Sequence, residues 1–256
     1  MVNNPSRESL PGISSDVSAG PETLAPIARG AMLYDASCCG QPDERLFERD
    51  RWRSQGALEE SAGGRGTVAF IRDGERRWVL RHYRRGGLVA KLLGDNYLWT
   101  GADQTRAFRE WRLLRELRAA DLPVPEPVAA RYERHGLFYC ADLITAELPT
   151  RRTLTHALSA APLDTATWRA VGACVGRLHA RGVHHADLNA HNLLLGPDGT
   201  VYVLDFDRGR IRPRGAWERS VLERLQRSLR KVTDGLPPDR FDDAAWAALL
   251  AGLEDA

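Results

Sequence analysis

The chain predicts an α+β fold in two parts, a small β-rich N-terminal half and a mainly helical C-terminal half, and three observations carry that expectation. Two short apolar segments, Thr67 to Ile71 and Arg77 to Tyr83, flank the turn Arg72-Asp73-Gly74-Glu75 and read as paired strands. Trp168, Val171, Val175 and Leu178 recur at helical spacing, with Gly182 placed to end that helix in a left-handed conformation. Just beyond lies the octapeptide His185-Ala186-Asp187-Leu188-Asn189-Ala190-His191-Asn192. The run Leu193 to Leu195, the turn Gly196-Pro197-Asp198-Gly199 and Val201 to Leu204 then form a hairpin that returns Asp205 beside Asn192.

The remaining elements follow in order. Residues 1–26 are rich in Pro, Ser, Gly and Asn and are expected to be a flexible tail. A strand at Ala31 to Tyr34 and a short helix carrying Leu46, Phe47 and Trp52 come next. From Asp103 to Ala120 the positions Ala107, Trp111, Leu114 and Leu117 mark one face of a helix that Asp103 or Thr105 could cap. The proline-rich segment Leu122 to Pro127 ends it. Strands at Val128 to Arg131 and Leu137 to Leu143 precede a connection at Thr145 to Pro149, and the rest is expected to be helical apart from the hairpin. The division is thus a tail at 1–26, a β-rich part at 27–147 and a helical part at 148–256.

With 43% hydrophobic residues over 256 positions, the chain can bury one good core or two small ones sharing a cleft. Its 36 basic and 34 acidic residues nearly cancel to a formal net charge of +2, which speaks against a general nucleic-acid binder. Lys91 and Lys231 are the only lysines, so arginine, with its planar two-point geometry, carries the cationic chemistry. Cys38, Cys39, Cys140 and Cys174 show no metal-ligand spacing, and a reducing cytoplasm is the simplest expectation. No segment is long and apolar enough to span a bilayer, so any membrane association is expected to be peripheral.

The octapeptide has the form H-x-D-L-x-x-x-N, and the strand after it ends in D-F-x. Phosphoryl transfer to a hydroxyl needs a carboxylate at the attacking oxygen and oxygen ligands for magnesium, and this pattern supplies both. Asp187 is the candidate to orient the acceptor hydroxyl and take its proton. Asn192 and Asp205 are the candidates to hold Mg2+ against the phosphates of ATP. The expected architecture is accordingly a bilobal, protein kinase-like fold. Gly63, Gly64 and Gly66, in the segment before the first strong strand, are candidates to cover the phosphates with free backbone N–H groups. A kinase normally places lysine on the next strand, paired with a helix glutamate. Here Trp78-Val79-Leu80-Arg81 puts Arg81 at that position, with Glu110 as its natural partner. Whether Arg81 or Lys91 meets the phosphates stays open, and the local strand setting favours Arg81.

Together these residues resemble the lipopolysaccharide kinase family. The resemblance rests on Gly63-Gly64-Arg65-Gly66-Thr67, the run Trp78 to Leu88 (WVLRHYRRGGL), Tyr97-Leu98-Trp99, Phe108-Arg109-Glu110 and Asp205 to Arg210 (DFDRGR), and it covers the chain from about Ala31 to about Arg230. It implies ATP-dependent phosphorylation of the 4-hydroxyl of a 3-deoxy-D-manno-octulosonic acid (Kdo) residue on a lipid A precursor. It also implies work at the cytoplasmic face of a Gram-negative inner membrane, as a peripheral protein.

An anionic glycolipid acceptor suits the arginine clusters. Arg208, Arg210, Arg212 and Arg214 alternate directly after Asp205, and in an extended segment they would face one way, toward a sugar carboxylate, lipid phosphates or anionic headgroups. The alternative is a solvated loop. Ala186 stands where kinases regulated by loop phosphorylation carry arginine, Asp207 replaces the usual glycine and no A-P-E follows, which fits a small-molecule or glycolipid kinase. A kinase for another small hydroxylated substrate and a non-catalytic kinase-like binding module are the competing readings.

Overall fold

The structure, a computed structural model, describes residues 20–60, 68–84 and 94–256. Gly63, Gly64, Gly66, Arg85 and Lys91 lie outside the described residues. The N-terminal part is an antiparallel sheet. Its strands are β1 (Glu22–Ile27), β2 (Gly30–Asp35), β3 (Leu58–Glu60), β4 (Val68–Asp73), β5 (Arg76–His82), β6 (Tyr97–Leu98), β7 (Pro127–His135) and β8 (Phe138–Ala146), in the order β1-β2-β7-β8-β5-β4-β3, with β6 on β8. The hairpin expected around Gly74 is β4–β5, registered Arg72↔Arg77, and Gly74 takes φ +61° at its tip.

Both faces of the sheet are covered, so its central strands bury alternate residues on opposite sides. Met32, Trp78, Leu80 and Ile144 pack on Leu46, Phe47 and Trp52, carried by a 3₁₀ turn (Glu44–Phe47) and a short helix (Arg49–Ser54). The sequence predicts one short helix carrying these three residues; the structure divides it in two, because Glu48 is extended between the pieces. These two pieces and the turn α1 (Ala36–Cys39) leave Arg49–Ser54 as α2. Leu33, Ala130 and Leu143 face the other way, onto Phe108, Trp111 and Leu114 of α3 (Arg106–Ala119). Thr105 sits at the N-cap of α3, but its hydroxyl donates back to Ala102 O (2.8 Å), and Asp103 pairs with Arg112 (2.8 Å); neither side chain caps the helix.

One boundary differs from expectation. Residues 22–26 belong to β1 and not to an irregular tail, because Thr23, Ala25 and Ile27 alternate inward and β1 is an edge strand, where Pro26 costs no ladder bond.

The C-terminal part contains α4 (Leu154–Ala160), α5 (Thr165–Ala180), α6 (Trp217–Val232) and α7 (Asp243–Glu254). Asp164 and Asp242 cap α5 and α7 by accepting from Thr167 N (2.7 Å) and Ala245 N (2.8 Å). Trp168, Val171, Val175 and Leu178 are buried, as their spacing predicts. Gly182, at φ +69°, follows the end of α5 and donates to His179 O (2.8 Å).

Helices α5 and α7 come together at glycines where a side chain would not fit. A Cβ on Gly172 would stand 1.9 Å from Leu249 O, and one on Gly252 would stand 2.1 Å from Arg169 O. Both obstacles are backbone atoms. Gly172→Ala should therefore lower stability by about 1–3 kcal/mol, the usual cost of overpacking, despite the better helix propensity of alanine. Denaturant unfolding checks this; an unchanged or raised midpoint would mean the helices can separate freely.

Two short ladders complete the fold. Strands β10 (Leu193–Leu195) and β11 (Val201–Val203) form the expected hairpin. The other ladder joins β9 (Val183–His184) to β12 (Arg210–Ile211), where only helix was expected outside the hairpin. Two residues per strand leave no periodicity to read.

Candidate active site

The octapeptide is held from both ends. His185, 2% exposed, donates from Nε2 to Leu204 O (2.8 Å) and accepts Asp187 N at Nδ1 (3.2 Å). Burial pushes its pKa down, and the ring stacks edge-on against Phe206 with centroids 4.8 Å apart. A neutral His185 thus ties the loop to the segment after β11. Within the loop, Asn189 and Asn192 both donate from Nδ2 to Asp187 O (2.8 and 3.1 Å), which fixes the backbone and leaves the Asp187 carboxylate at the surface.

The hairpin does what its pattern implies. Leu193 pairs with Val203, and Leu204 N donates to Asn192 O (2.8 Å), so Asn192 and Asp205 stand on the same cavity wall. Asp205 takes φ +63°, a strained conformation that Asp tolerates better than most side chains.

Arg81, in β5, reaches across to this end of the hairpin. It ion-pairs with Glu110 Oε2 of α3 and donates to Asp205 Oδ1 (2.6 Å) and Tyr83 Oη (3.1 Å). Glu110, 3% exposed, also accepts from Tyr83 Oη (2.5 Å) and, on Oε1, from Phe206 N (3.1 Å). Burial pushes the Glu110 carboxyl up, and Arg81 only partly offsets it. Burial opposes the Arg81 charge as well, but Glu110, Tyr83 and Asp205 outweigh it and carry its pKa well above the usual value.

A cavity of about 330 Å³ opens over these groups. Val68, Val79, Leu143 and Leu194 give it an apolar wall, while Arg81, Glu110, Asn192 and Asp205 lie together in its lining. The lining thus combines apolar side chains with a few polar and charged groups, as small-molecule sites do. Among the described residues no three His, Cys, Asp or Glu side chains gather as a metal cluster.

Comparison with protein families matches residues 49–252 to the Lipopolysaccharide kinase (Kdo/WaaP) family. The chain belongs to that family. Among its relatives, 3-deoxy-D-manno-octulosonic acid kinase of Stenotrophomonas maltophilia is 45% identical over 216 residues, spanning 82% of this chain and 86% of that protein. The protein of the same name from Xanthomonas axonopodis pv. citri is 43% identical with the same coverage. That from Vibrio parahaemolyticus is 40% identical over 200 residues, 78% of this chain and 84% of its own. This lipopolysaccharide kinase is therefore a phosphotransferase acting on a hydroxyl group.

Within this Kdo/WaaP family member, the structure brings together Arg81, Glu110, Asn192 and Asp205, with Asp187 one bond away through Asn192. Arg208, Arg210 and Arg212 are exposed; Arg210 lies in β12 and Arg212 N donates to Gly182 O (2.9 Å). Arg214 is taken by Glu218 (2.9 Å). Three partners escaped the sequence. Tyr83 joins the Arg81 pair, Asp207 ion-pairs with Arg106 of α3, and Arg224 of α6 ion-pairs with Asp187. The unusual D-F-D form signals the second, since an acid after the phenylalanine needs a counter-charge.

Proposed function

We propose that the chain transfers the γ-phosphoryl group of ATP to the 4-hydroxyl of a Kdo residue on a lipid A precursor, in lipopolysaccharide core assembly. The observation that carries this reading is the meeting of Asn192, Asp205 and the Arg81–Glu110 pair in the lining of one cavity with Asp187 beside it, in a chain of the Kdo/WaaP family. The cavity, walled by both the sheet and the β10–β11 hairpin, suits the cleft of a bilobal kinase, with residues 27–147 and 148–256 as the two lobes.

Asp187 accepts the proton of the acceptor hydroxyl as its oxygen bonds to the γ-phosphorus. The bond from that phosphorus to the bridging oxygen breaks, and ADP leaves with the electron pair. Arg81, held by Glu110, sets its positive charge against the phosphates, and Gly63, Gly64 and Gly66 are the candidates, from their composition, to donate backbone N–H groups to them.

The donor set fits magnesium. Arg81 takes Oδ1 of Asp205 and the Asn192 amide donates to Asp187 O, so Asp205 Oδ2 and Asn192 Oδ1 are the oxygens left for a hard cation that also binds phosphate and water. Asp205→Ala should flatten the dependence of ATP affinity on magnesium, and Asn192→Ala should do so less. Identical magnesium titrations for Asp205→Ala and the parent would remove Asp205 from the metal site.

Among the described residues no helix is long and apolar enough to cross a membrane. A lipid-borne acceptor puts the enzyme at the cytoplasmic surface of the inner membrane as a peripheral protein. There the exposed Arg208, Arg210 and Arg212 contribute to holding the acceptor's phosphates. Incubation with labelled ATP, magnesium and either Kdo-bearing or Kdo-free lipid A precursor tests the assignment. Label should enter only the Kdo-bearing lipid; equal labelling of both overturns it.

A further inference from the structure

Arg224 is placed where no structural role requires it. It lies on α6, whose Val221, Leu225 and Leu229 are buried beneath it. Ser228, one turn on, accepts Ala190 N at its hydroxyl (3.1 Å) and so locks α6 against the octapeptide. Residues four apart share a helix face, so Arg224 projects over the same loop. Its Nε (3.0 Å) and Nη2 both donate to a single oxygen of Asp187, Oδ1.

The pair is not a buried staple. The Arg224 and Asp187 side chains are 48% and 49% exposed, and exposed ion pairs are weak because water competes for both charges. Exchange of one carboxylate for another on Arg224 is therefore easy. Nearby in sequence, Arg214, just before α6, pairs with Glu218, and Arg219 pairs with Glu223, so both are paired with a glutamate four residues on.

We infer that Arg224 is the receptor for the acceptor's carboxylate. This rests on the Kdo-kinase reading. In a Kdo ring the carboxyl-bearing carbon and the carbon carrying the 4-hydroxyl are separated by one ring carbon, so a hydroxyl at Asp187 brings the carboxylate next to Arg224. The planar guanidinium grips it in two-point fashion. In the free enzyme Arg224 rests on Asp187. The incoming carboxylate takes Asp187's place on the guanidinium, which frees the base for the hydroxyl. Acceptor binding and base release are then one event, and a hydroxyl compound without a carboxylate finds Asp187 still engaged.

The test compares two acceptors, Kdo-bearing lipid A precursor and the same lipid with the Kdo carboxylate converted to the carboxamide, with the parent, Arg224→Gln, Arg224→Lys and Arg219→Gln. The parent should prefer the acid to the amide by about tenfold or more in kcat/KM, the size expected for a lost charge-assisted contact. Arg224→Gln should erase that preference by raising the acceptor KM for the acid, with KM for ATP unchanged. Arg224→Lys should keep part of it and Arg219→Gln all of it.

A parent that uses acid and amide equally overturns the inference. So does an acid preference that survives in Arg224→Gln, whether or not turnover falls on both acceptors, since that pattern belongs to a residue that only positions Asp187. A parent that phosphorylates neither lipid fails the Kdo-kinase reading itself, and the carboxylate receptor falls with it.

Discussion

Asp187→Ala is expected to reduce turnover by about 10²–10⁴-fold, the range for loss of a general base, while ATP affinity stays near that of the parent. The separation follows from where the residue's bonds run. Its backbone carbonyl receives Asn189 and Asn192, which alanine preserves, whereas the carboxylate bonds only Arg224 among the described residues. Nothing in the core depends on that side chain. Equilibrium unfolding should likewise stay close to the parent. Turnover within tenfold of the parent would remove Asp187 as the base; a collapse of ATP affinity would mean that it serves the nucleotide.

The second large effect is expected at Arg81 and Glu110. Among the described residues, Arg81→Ala leaves a 3% exposed carboxylate with only Tyr83 and Phe206 N as donors, and removing one member of a buried pair costs about 3–5 kcal/mol. Glu110→Ala removes the acceptor of the Tyr83 hydroxyl proton and of Phe206 N instead, while Arg81 keeps Asp205 (2.6 Å) and Tyr83 Oη (3.1 Å). Each change should also cut kcat/KM heavily, because Arg81 lines the cavity proposed to take the ATP phosphates. The double mutant should be less impaired than the sum of the singles by about 1–3 kcal/mol, the coupling expected for side chains in one network. Arg81→Lys should retain part of the activity. Strict additivity in both stability and turnover, or a larger loss from Lys91→Ala than from Arg81→Ala, would move the phosphate contact elsewhere.

What could be read from the sequence is what local patterns encode. The β10–β11 hairpin was legible because a Gly-Pro-Asp-Gly turn and two apolar runs lie within a dozen residues, and it alone brings Asn192 and Asp205 to one wall. Arg81 and Glu110, 29 positions apart, could be paired because a strand pattern placed one and a helical period placed the other.

Arg224 and Asp187 are 37 positions apart, and nothing comparable selects Arg224 from Arg219, Arg227 and Arg230 on the same amphipathic helix. A helical period sorts the buried face from the exposed one and says little about which exposed residue meets a loop. β1 was hidden by Pro26, which reads as a breaker until the strand is known to be an edge. Gly63, Gly64 and Gly66 stay as proposals from their composition.

Arg81 in place of lysine has a pharmacological side. Electrophiles that label nucleotide sites by acylating a primary amine need a lysine that can shed its proton. Among the described residues lining this cavity there is no amine, only guanidinium groups, and that of Arg81 is shielded by two carboxylates and a phenol. Warheads that capture the strand lysine of other kinases should find no target at Arg81, and a covalent ligand aimed at that position would have to be built on different chemistry.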